Sequence, residues 1–327
     1  MEPLAPGIRR FAAVLRMISG PSIADMTPTQ IERAQRGLSR SALTSLICGA
    51  PRRGVRMEDR TVPNAGAEIP IRLYTPERAA NAARPLIVAM HGGGWVFGNL
   101  TMSDWMCGAV SRDLDAVVVS VGYRLAPRHP FPAAIEDCYR VLEWSASNRA
   151  LLGATSERIG VMGESAGGNL AAVLCLLAQE RAGPSIQHQA LIYPAIDAAA
   201  DTESRRINAN AIILTAADMV AYTDLYVGTE GDRLDWRVSP LRAKSHRGLP
   251  PALIQVAGHD PLRDEGVLYA RALERAGVPV TLTEYPAMPH GFVNFPLFSR
   301  DARSAMAQVV REQRKALSPR GDALDVV

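Results

Sequence analysis

The chain has 327 residues, and 47% of them are hydrophobic, which is enough to build one large domain or two small ones. Its 36 Lys and Arg residues against 33 Asp and Glu leave a net charge of +3 without a long basic run, so we expect no nucleic-acid partner. Its apolar runs are too short for a transmembrane segment.

The cysteines and the first residues bear on the cellular compartment. Cys48, Cys107, Cys138 and Cys175 stand singly in apolar or helical stretches, and no two of them have metal-ligand spacing. The N-terminus lacks the basic and apolar regions of a cleaved export signal. We therefore expect a cytoplasmic protein with four buried thiols and no metal site.

In chain order, the first predicted elements are helices and a hairpin. Residues 1–45 have the periodicity of amphipathic helices, and Thr27 to Gln30 form a capping-box signature at the start of one of them. Two alternating stretches, 55–62 and 69–74, predict a hairpin whose turn includes Gly66.

From residue 85 the sequence alternates between short apolar strands and helices, a pattern typical of a mostly parallel sheet covered on both faces. Residues 197–247 interrupt this alternation; they are polar, contain helical stretches and no clear strand, and are interpreted as an insertion. The predicted strands are 85–90, 116–121, 158–162, 189–193, 252–257 and 280–285, and the predicted helices are 102–114, 131–147, 168–181, 263–276 and 299–316.

The pentapeptide Gly163-Glu164-Ser165-Ala166-Gly167 carries the first chemical signal. It stands between an apolar strand and a helix rich in Ala and Leu, which is the context of a nucleophile elbow. In such a turn the serine backbone is strained and small neighbours avoid clashes. The pentapeptide alone is a weak signal, and the alternative is a loop at a strand end.

A serine nucleophile needs a general base and an acid that orients it. Of the six histidines, His290 is the best placed, because it lies just past a predicted strand at the edge where catalytic groups gather. Asp260 also follows a strand and is preferred over Asp264 and Glu265, which lie in the next helix. The order Ser165, Asp260, His290 is that of the α/β-hydrolase triad.

The glycines that follow His91 suggest where a tetrahedral oxyanion would bind. We predict the N–H groups of Gly92, Gly93 and Ala166 as donors, because glycines let the backbone turn toward a ligand. A glycine run also occurs in phosphate loops, but the Walker pattern and Gly-x-Gly-x-x-Gly are absent at this point.

Taken together, these motifs resemble those of the hormone-sensitive lipase family of microbial esterases, in order over roughly residues 50–315. The motifs are His91-Gly92-Gly93-Gly94-Trp95 with Gly98, Tyr123-Arg124-Leu125-Ala126-Pro127, the elbow with Gly168-Asn169, Asp260-Pro261-Leu262-Arg263-Asp264-Glu265 and Pro289-His290-Gly291-Phe292.

The resemblance implies an α/β-hydrolase fold with a mostly parallel eight-stranded sheet, flanking helices and a helical cap. Residues 1–45 and 197–247 correspond to the cap, and 46–196 with 248–320 to the catalytic domain. It also implies a serine carboxylesterase without metal or cofactor, acting on short- to medium-chain acyl esters. Family members often dimerise through the sheet edge, so a homodimer is expected.

Two residues depart from the family pattern: Glu164 replaces the commonest Asp of the elbow, and Arg128 replaces an acid. The sequence assigns neither a role. For the substrate pocket we expect Trp95 and Tyr193 in the wall, with Leu214 as a further candidate. The other apolar candidates of the cap are Phe11, Met17, Ile18, Ile212 and Ile213, which alternatively pack the cap onto the body.

Two other functions stay open on the sequence. An amidase or peptidase would use the same triad, and matched ester and amide substrates would discriminate. A non-catalytic binding protein of this fold would lack the base, whereas His290 is present here.

Overall fold

The computed structural model describes residues 2–11, 21–37, 49–64, 66–80 and 83–318. The strands of this part are β1 (Val55–Asn64), β2 (Ala67–Pro76), β3 (Leu86–Met90), β4 (Val117–Val121), β5 (Ile159–Glu164), β6 (His188–Ile192), β7 (Ala252–His259) and β8 (Val280–Pro289). They form one sheet in the order β1-β2-β4-β3-β5-β6-β7-β8. Strand β2 runs opposite to the other seven strands, which confirms the mostly parallel eight-stranded sheet.

The helices cover the sheet on both faces. They are α1 (Pro28–Gly37), α2 (Asp104–Leu114), α3 (Ala133–Ser147), α4 (Arg149–Leu152), α5 (Ala166–Glu180), α6 (Glu203–Ile207), α7 (Ala216–Val227), α8 (Arg263–Arg275) and α9 (Arg300–Leu317). Residues 6–11 are also helical, and 3₁₀ turns lie at Ile23–Asp25, Leu100–Ser103, Pro240–Arg242 and Phe292–Asn294.

The alternation of side chains along the central strands explains this layering. In β3, Leu86 and Val88 pack into the core beside α3, α5 and α8, whereas Ile87 and Ala89 pack into the core beside α2 and α9. Successive residues of a strand point to opposite faces, so a strand buried on both sides must be apolar throughout. The predicted strands 85–90, 116–121, 158–162, 189–193 and 252–257 are central, whereas 280–285 belongs to the edge strand β8, which is only partly buried.

The segments predicted as cap contact each other. Residues 197–247 contribute α6 and α7, and the Ser22 hydroxyl donates to the Asp218 carboxylate of α7. Gln35 of α1 donates from Nε2 to the carbonyls of Val96 and Ala126, at 2.7 and 2.8 Å. Met17, Ile18 and the tail after residue 318 lie outside the described residues, and the division into domains stays a prediction.

Several strands continue beyond their predicted ends, and the extensions of β5, β7 and β8 bear on the site. Pairing of β5 with β6 continues to Glu164 and Ile192, so the strand runs up to the serine. After a bulge in β7, His259 pairs with Pro289, so β8 ends directly before His290. No helix among the described residues combines the length and apolar character needed to cross a membrane.

Candidate active site

Ser165 lies in the turn between β5 and α5 with φ 54° and ψ −121°, a conformation that non-glycine residues rarely adopt. The turn is too tight for larger neighbours. A Cβ on Gly163 would lie 2.1 Å from the carbonyl oxygen of Gly167, and one on Gly167 would lie 2.2 Å from that of Met90. The two glycines of the pentapeptide thus permit the close packing of strand and helix that fixes the serine.

The structure brings the three predicted triad residues together. His290 Nε2 lies 2.8 Å from Ser165 Oγ, and His290 Nδ1 lies 2.7 Å from Asp260 Oδ2. The carboxylate fixes the imidazole tautomer that carries its proton on Nδ1, which leaves Nε2 to accept the serine hydroxyl. All three side chains are buried, Asp260 completely.

The competing acids have other partners. Asp264 accepts the N–H of Ser204 at 2.7 Å, and Glu265 accepts Arg205 Nη2 at 2.8 Å, so both contact the insertion. Asp260 itself accepts the N–H of Leu262 at 2.8 Å through its second oxygen. This second bond holds the carboxylate plane toward His290.

Among the described residues, the other histidines form no hydrogen bond with the serine. His91 Nδ1 is 2.7 Å from the carbonyl of Gly92, and burial lowers the pKa of His91 to about 4, so the ring is neutral and supports the glycine loop. Burial likewise lowers the pKa of His188 to about 4. His246 and His259 contact the carbonyls of Pro240 and Glu2.

The glycine loop differs from the prediction at Gly92. Its N–H donates to Glu164 Oε1 at 3.2 Å and is therefore not available to a substrate oxyanion. Gly93 and Gly94 line the cavity together with Ser165 and Ala166. Within the described residues, the N–H groups of Gly93, Gly94 and Ala166 donate to no protein acceptor. Because the Gly92 N–H already has an acceptor, Gly94 replaces Gly92 as candidate donor.

A cavity of about 330 Å³ opens beside Ser165 and His290. Trp95 and Leu214 line it as expected, and the rest of its wall is mostly apolar. The other apolar residues of this wall are Met102, Ala195, Ala198, Ile213, Met219, Tyr222, Val238, Leu262 and Phe295.

Two pocket candidates lie elsewhere. Tyr193 does not line the cavity, because its hydroxyl donates to Glu164 Oε2 at 2.8 Å in the interior and its ring packs 4.8 Å from that of His290. Phe11 stacks on Phe298, with ring centroids 4.3 Å apart.

The possible metal ligands and the cysteines can be located for the part of the chain that the structure describes. Among the residues that the structure describes, no three His, Cys, Asp or Glu side chains cluster as metal ligands would. Cys107, Cys138 and Cys175 are buried free thiols, whereas Cys48 lies outside the described residues. Arg128, the second departure from the family pattern, is exposed to solvent.

Comparisons with known proteins agree with this architecture. Residues 87–294 match a family described as having the α/β-hydrolase fold. The chain is 41% identical over 281 residues to the carboxylic ester hydrolase LipN of Mycobacterium tuberculosis, which covers 83% of this chain and 74% of that protein. It is 33% identical over 314 residues to ethyl acetate hydrolase of Pseudomonas putida, covering 94% and 98%.

Among solved structures, the hyperthermophilic esterase from Pyrobaculum calidifontis has a TM-score of 0.85 and 36% identity, covering 96% of this chain and 99% of that one. Fold and sequence together define an α/β hydrolase. The chain belongs to the hormone-sensitive lipase family of the α/β-hydrolase superfamily, and it is a carboxylic ester hydrolase.

Proposed function

We propose that this enzyme hydrolyses small carboxylic esters in two steps, with Ser165 as nucleophile, His290 as general base and Asp260 as the acid that orients the base. The observation that carries the proposal is the 2.8 Å separation of His290 Nε2 from Ser165 Oγ. A hydroxyl at this distance can pass its proton to the imidazole as it attacks a carbonyl carbon.

In the first step, Ser165 Oγ forms a bond to the ester carbonyl carbon while His290 takes the hydroxyl proton. Charge that develops on the carbonyl oxygen is stabilised by the N–H groups of Gly93, Gly94 and Ala166. The Ala166 N–H lies at the N-terminus of α5, where the helix dipole also favours negative charge. The tetrahedral intermediate then collapses, and His290 gives its proton to the leaving alcohol.

In the second step, water replaces the alcohol. His290 takes a proton from the water, whose oxygen attacks the acyl carbon bound to Ser165. Collapse of the second tetrahedral intermediate breaks the bond to Ser165 Oγ, and His290 returns the proton to it. The carboxylic acid leaves, and the Asp260 carboxylate stabilises the imidazolium in both steps.

For the substrate we propose esters with short- to medium-chain acyl groups. Ligand pockets generally range from about 300 to 1,000 Å³, so the cavity of about 330 Å³ is near the lower end. Its apolar wall suits an alkyl chain rather than a charged group. A series of nitrophenyl esters from acetate to decanoate tests this, with the highest kcat/KM expected at the short end.

A nitroanilide added to this series separates ester hydrolysis from amide hydrolysis. The nitroanilide that matches the best ester should be hydrolysed far more slowly, because its leaving amine is the poorer one. Comparable rates on the two substrates would assign the site to amidase chemistry. No turnover of any ester, together with full folding, would contradict the proposal.

We further propose that the enzyme is a cytoplasmic homodimer whose subunits pair through the sheet edge. The three free buried thiols favour a reducing compartment. Within the described residues, strand β8 has no strand partner on one side, and its Leu282 is 40% exposed. Light scattering of the wild type and of Leu282→Asp tests the dimer; a wild-type mass of one chain would contradict it.

A further inference from the structure

Glu164, the residue directly before the serine, is 3% exposed and accepts three hydrogen bonds. Its Oε1 accepts the N–H of Gly92 at 3.2 Å. Its Oε2 accepts the hydroxyl of Tyr193 at 2.8 Å and Nδ2 of Asn294 at 2.9 Å. The side chain therefore bonds three segments that are remote from one another in the sequence.

Each of these three segments lies next to a group that takes part in the proposed reaction. Gly92 precedes Gly93 and Gly94, which line the cavity. Asn294 ends the 3₁₀ turn Phe292–Asn294, which follows His290 by one residue. The ring of Tyr193 lies 4.8 Å from the ring of His290. The Glu164 carboxylate thus contacts the oxyanion loop at Gly92 and, through Tyr193 and Asn294, two segments that lie beside His290. Glu164 itself belongs to the elbow.

The chemistry of the group fits a carboxylate rather than an amide. An ionised carboxylate only accepts hydrogen bonds, and all three partners donate to it. No Lys, Arg or His among the described residues forms an ion pair with Glu164. A buried charge without a cation is costly unless hydrogen bonds satisfy it, so this one is held by its three neutral donors.

The backbone of Tyr193 gives a second indication. Its φ of 34° is rare for an aromatic residue, and such strain persists only where the surroundings hold it. The Tyr193 N–H donates to the carbonyl of Gln255 at 2.6 Å, and the hydroxyl donates to Glu164. The two bonds fix both ends of the residue whose ring packs on His290.

We propose that Glu164 is a positioning residue for ester hydrolysis, which sets the oxyanion loop through Gly92 and the imidazole through Tyr193 and Asn294. The inference rests on the proposed Ser165 mechanism. It assigns a function to the departure from the usual Asp of the family, because an Asp side chain is one methylene shorter. At this position Asp would lose at least one of the three partners.

The test uses the whole enzyme with Glu164→Gln, Glu164→Asp and Tyr193→Phe. Active sites are titrated with a nitrophenyl phosphonate, and kcat is expressed per titrated site. The Gln side chain has nearly the same shape, but its NH2 group is a donor and would face a donor of Gly92, Tyr193 or Asn294. We therefore expect kcat to fall about 10²-fold while KM stays nearly constant. Asp should recover part of the loss, and Tyr193→Phe alone should cost about tenfold.

Asp104→Asn is the matched control, since Asp104 is also buried and accepts a tyrosine hydroxyl, that of Tyr74 at 2.7 Å. It should lower the melting temperature and leave kcat per site unchanged. In the Glu164→Gln background, Tyr193→Phe should cost much less than in the wild type, because the two act through one bond.

Three results are distinguishable. Unchanged kcat per titrated site in Glu164→Gln and Tyr193→Phe, with lower melting temperatures, would make Glu164 a structural residue and overturn the inference. Ser165 would still be labelled in that case, and the proposed function would stand. A wild type that the phosphonate does not label at Ser165 would overturn the proposed function itself.

Discussion

Arg205 of α6 donates from Nη2 to Glu265 Oε1 of α8 at 2.8 Å, which fastens the insertion to the helix after the Asp260 loop. Glu265 is 1% exposed and also accepts the N–H groups of Ile196 and Asp197. Burial raises the pKa of Glu265 from 4.5 to about 7, opposed by Arg205 and the two N–H groups. The Glu265 carboxyl therefore binds its proton more tightly in the folded state than in the unfolded state.

The first prediction concerns stability against pH. The pKa of Glu265 is raised on folding. The protonated Glu265 carboxyl therefore contributes to the unfolding free energy in full below about pH 4.5, and this contribution is lost as the pH rises to about 7. The unfolding free energy of the wild type minus that of Glu265→Gln should fall over this window by on the order of 3 kcal/mol. Urea unfolding of both proteins between pH 4 and 8 measures it (~0.5-unit steps).

The substitution removes the titrating carboxyl group and leaves Arg205 in place. It therefore changes the offset between the two stability curves as well as their slopes. Parallel curves from pH 4.5 to 7 would show that Glu265 has an ordinary pKa in the fold.

The second prediction concerns the oxyanion loop. Gly93 has φ 110°, and an added Cβ would lie 2.3 Å from the carbonyl oxygen of Phe97. Gly93→Ala must therefore move the loop, and kcat should fall by roughly 10²–10³, the loss expected for one misplaced oxyanion donor. Steady-state kinetics on nitrophenyl acetate measures the effect.

Gly277→Ala provides the control, because Gly277 also has positive φ, 80°, but nothing lies within 4 Å of an added Cβ. It should cost about 1 kcal/mol of stability and leave kcat unchanged. Equal kcat values for the two variants would mean that the Gly93 loop does not stabilise the transition state.

The third prediction concerns the acyl pocket. Leu214 lines the cavity and packs with Met219 and Leu262, so Leu214→Phe fills part of the space for an acyl chain. The ratio of kcat/KM for hexanoate over acetate should fall about tenfold, since one methylene in such a pocket changes kcat/KM by that order. Leu234→Phe, at a residue 53% exposed, should leave the ratio unchanged. A changed kcat/KM ratio in Leu234→Phe alone would show that the acyl chain binds at a site other than this cavity.

The fourth prediction compares two neighbouring acids. Asp260→Asn should lower kcat by on the order of 10⁴, because the amide no longer selects the productive tautomer of His290. Asp264→Asn should lower stability slightly and leave kcat near that of the wild type, since Asp264 bonds Ser204 instead. Similar losses in both variants would remove Asp260 from its proposed role.

The sheet could be predicted from the sequence because continuous apolar strands and helical periodicity directly reflect burial on two faces. The place of Ser165 followed from the small residues that a tight elbow requires. The exchange of Gly92 for Gly94 could not be predicted, because a glycine run does not tell which N–H group already has an acceptor within the protein. The acceptor of the Gly92 N–H is Glu164, a residue 72 positions away in the sequence.

Tyr193 illustrates the same limit. A strand-end aromatic near a catalytic edge is as compatible with a pocket wall as with a buried support. The hydroxyl bond to Glu164 decides between the two, and it joins residues 29 positions apart. Burial patterns are local and readable, whereas hydrogen bonds between loops depend on the finished fold.

Phosphonate labelling followed by mass spectrometry of the digested enzyme tests most directly whether Ser165 is the nucleophile. A nitrophenyl phosphonate should add one phosphonyl group per chain, on Ser165, and activity should disappear in proportion to labelling. Ser165→Ala should take up no label and lose on the order of 10⁴–10⁶ in kcat. Ester hydrolysis that survives complete labelling, or that persists in Ser165→Ala, would show that Ser165 is not the nucleophile.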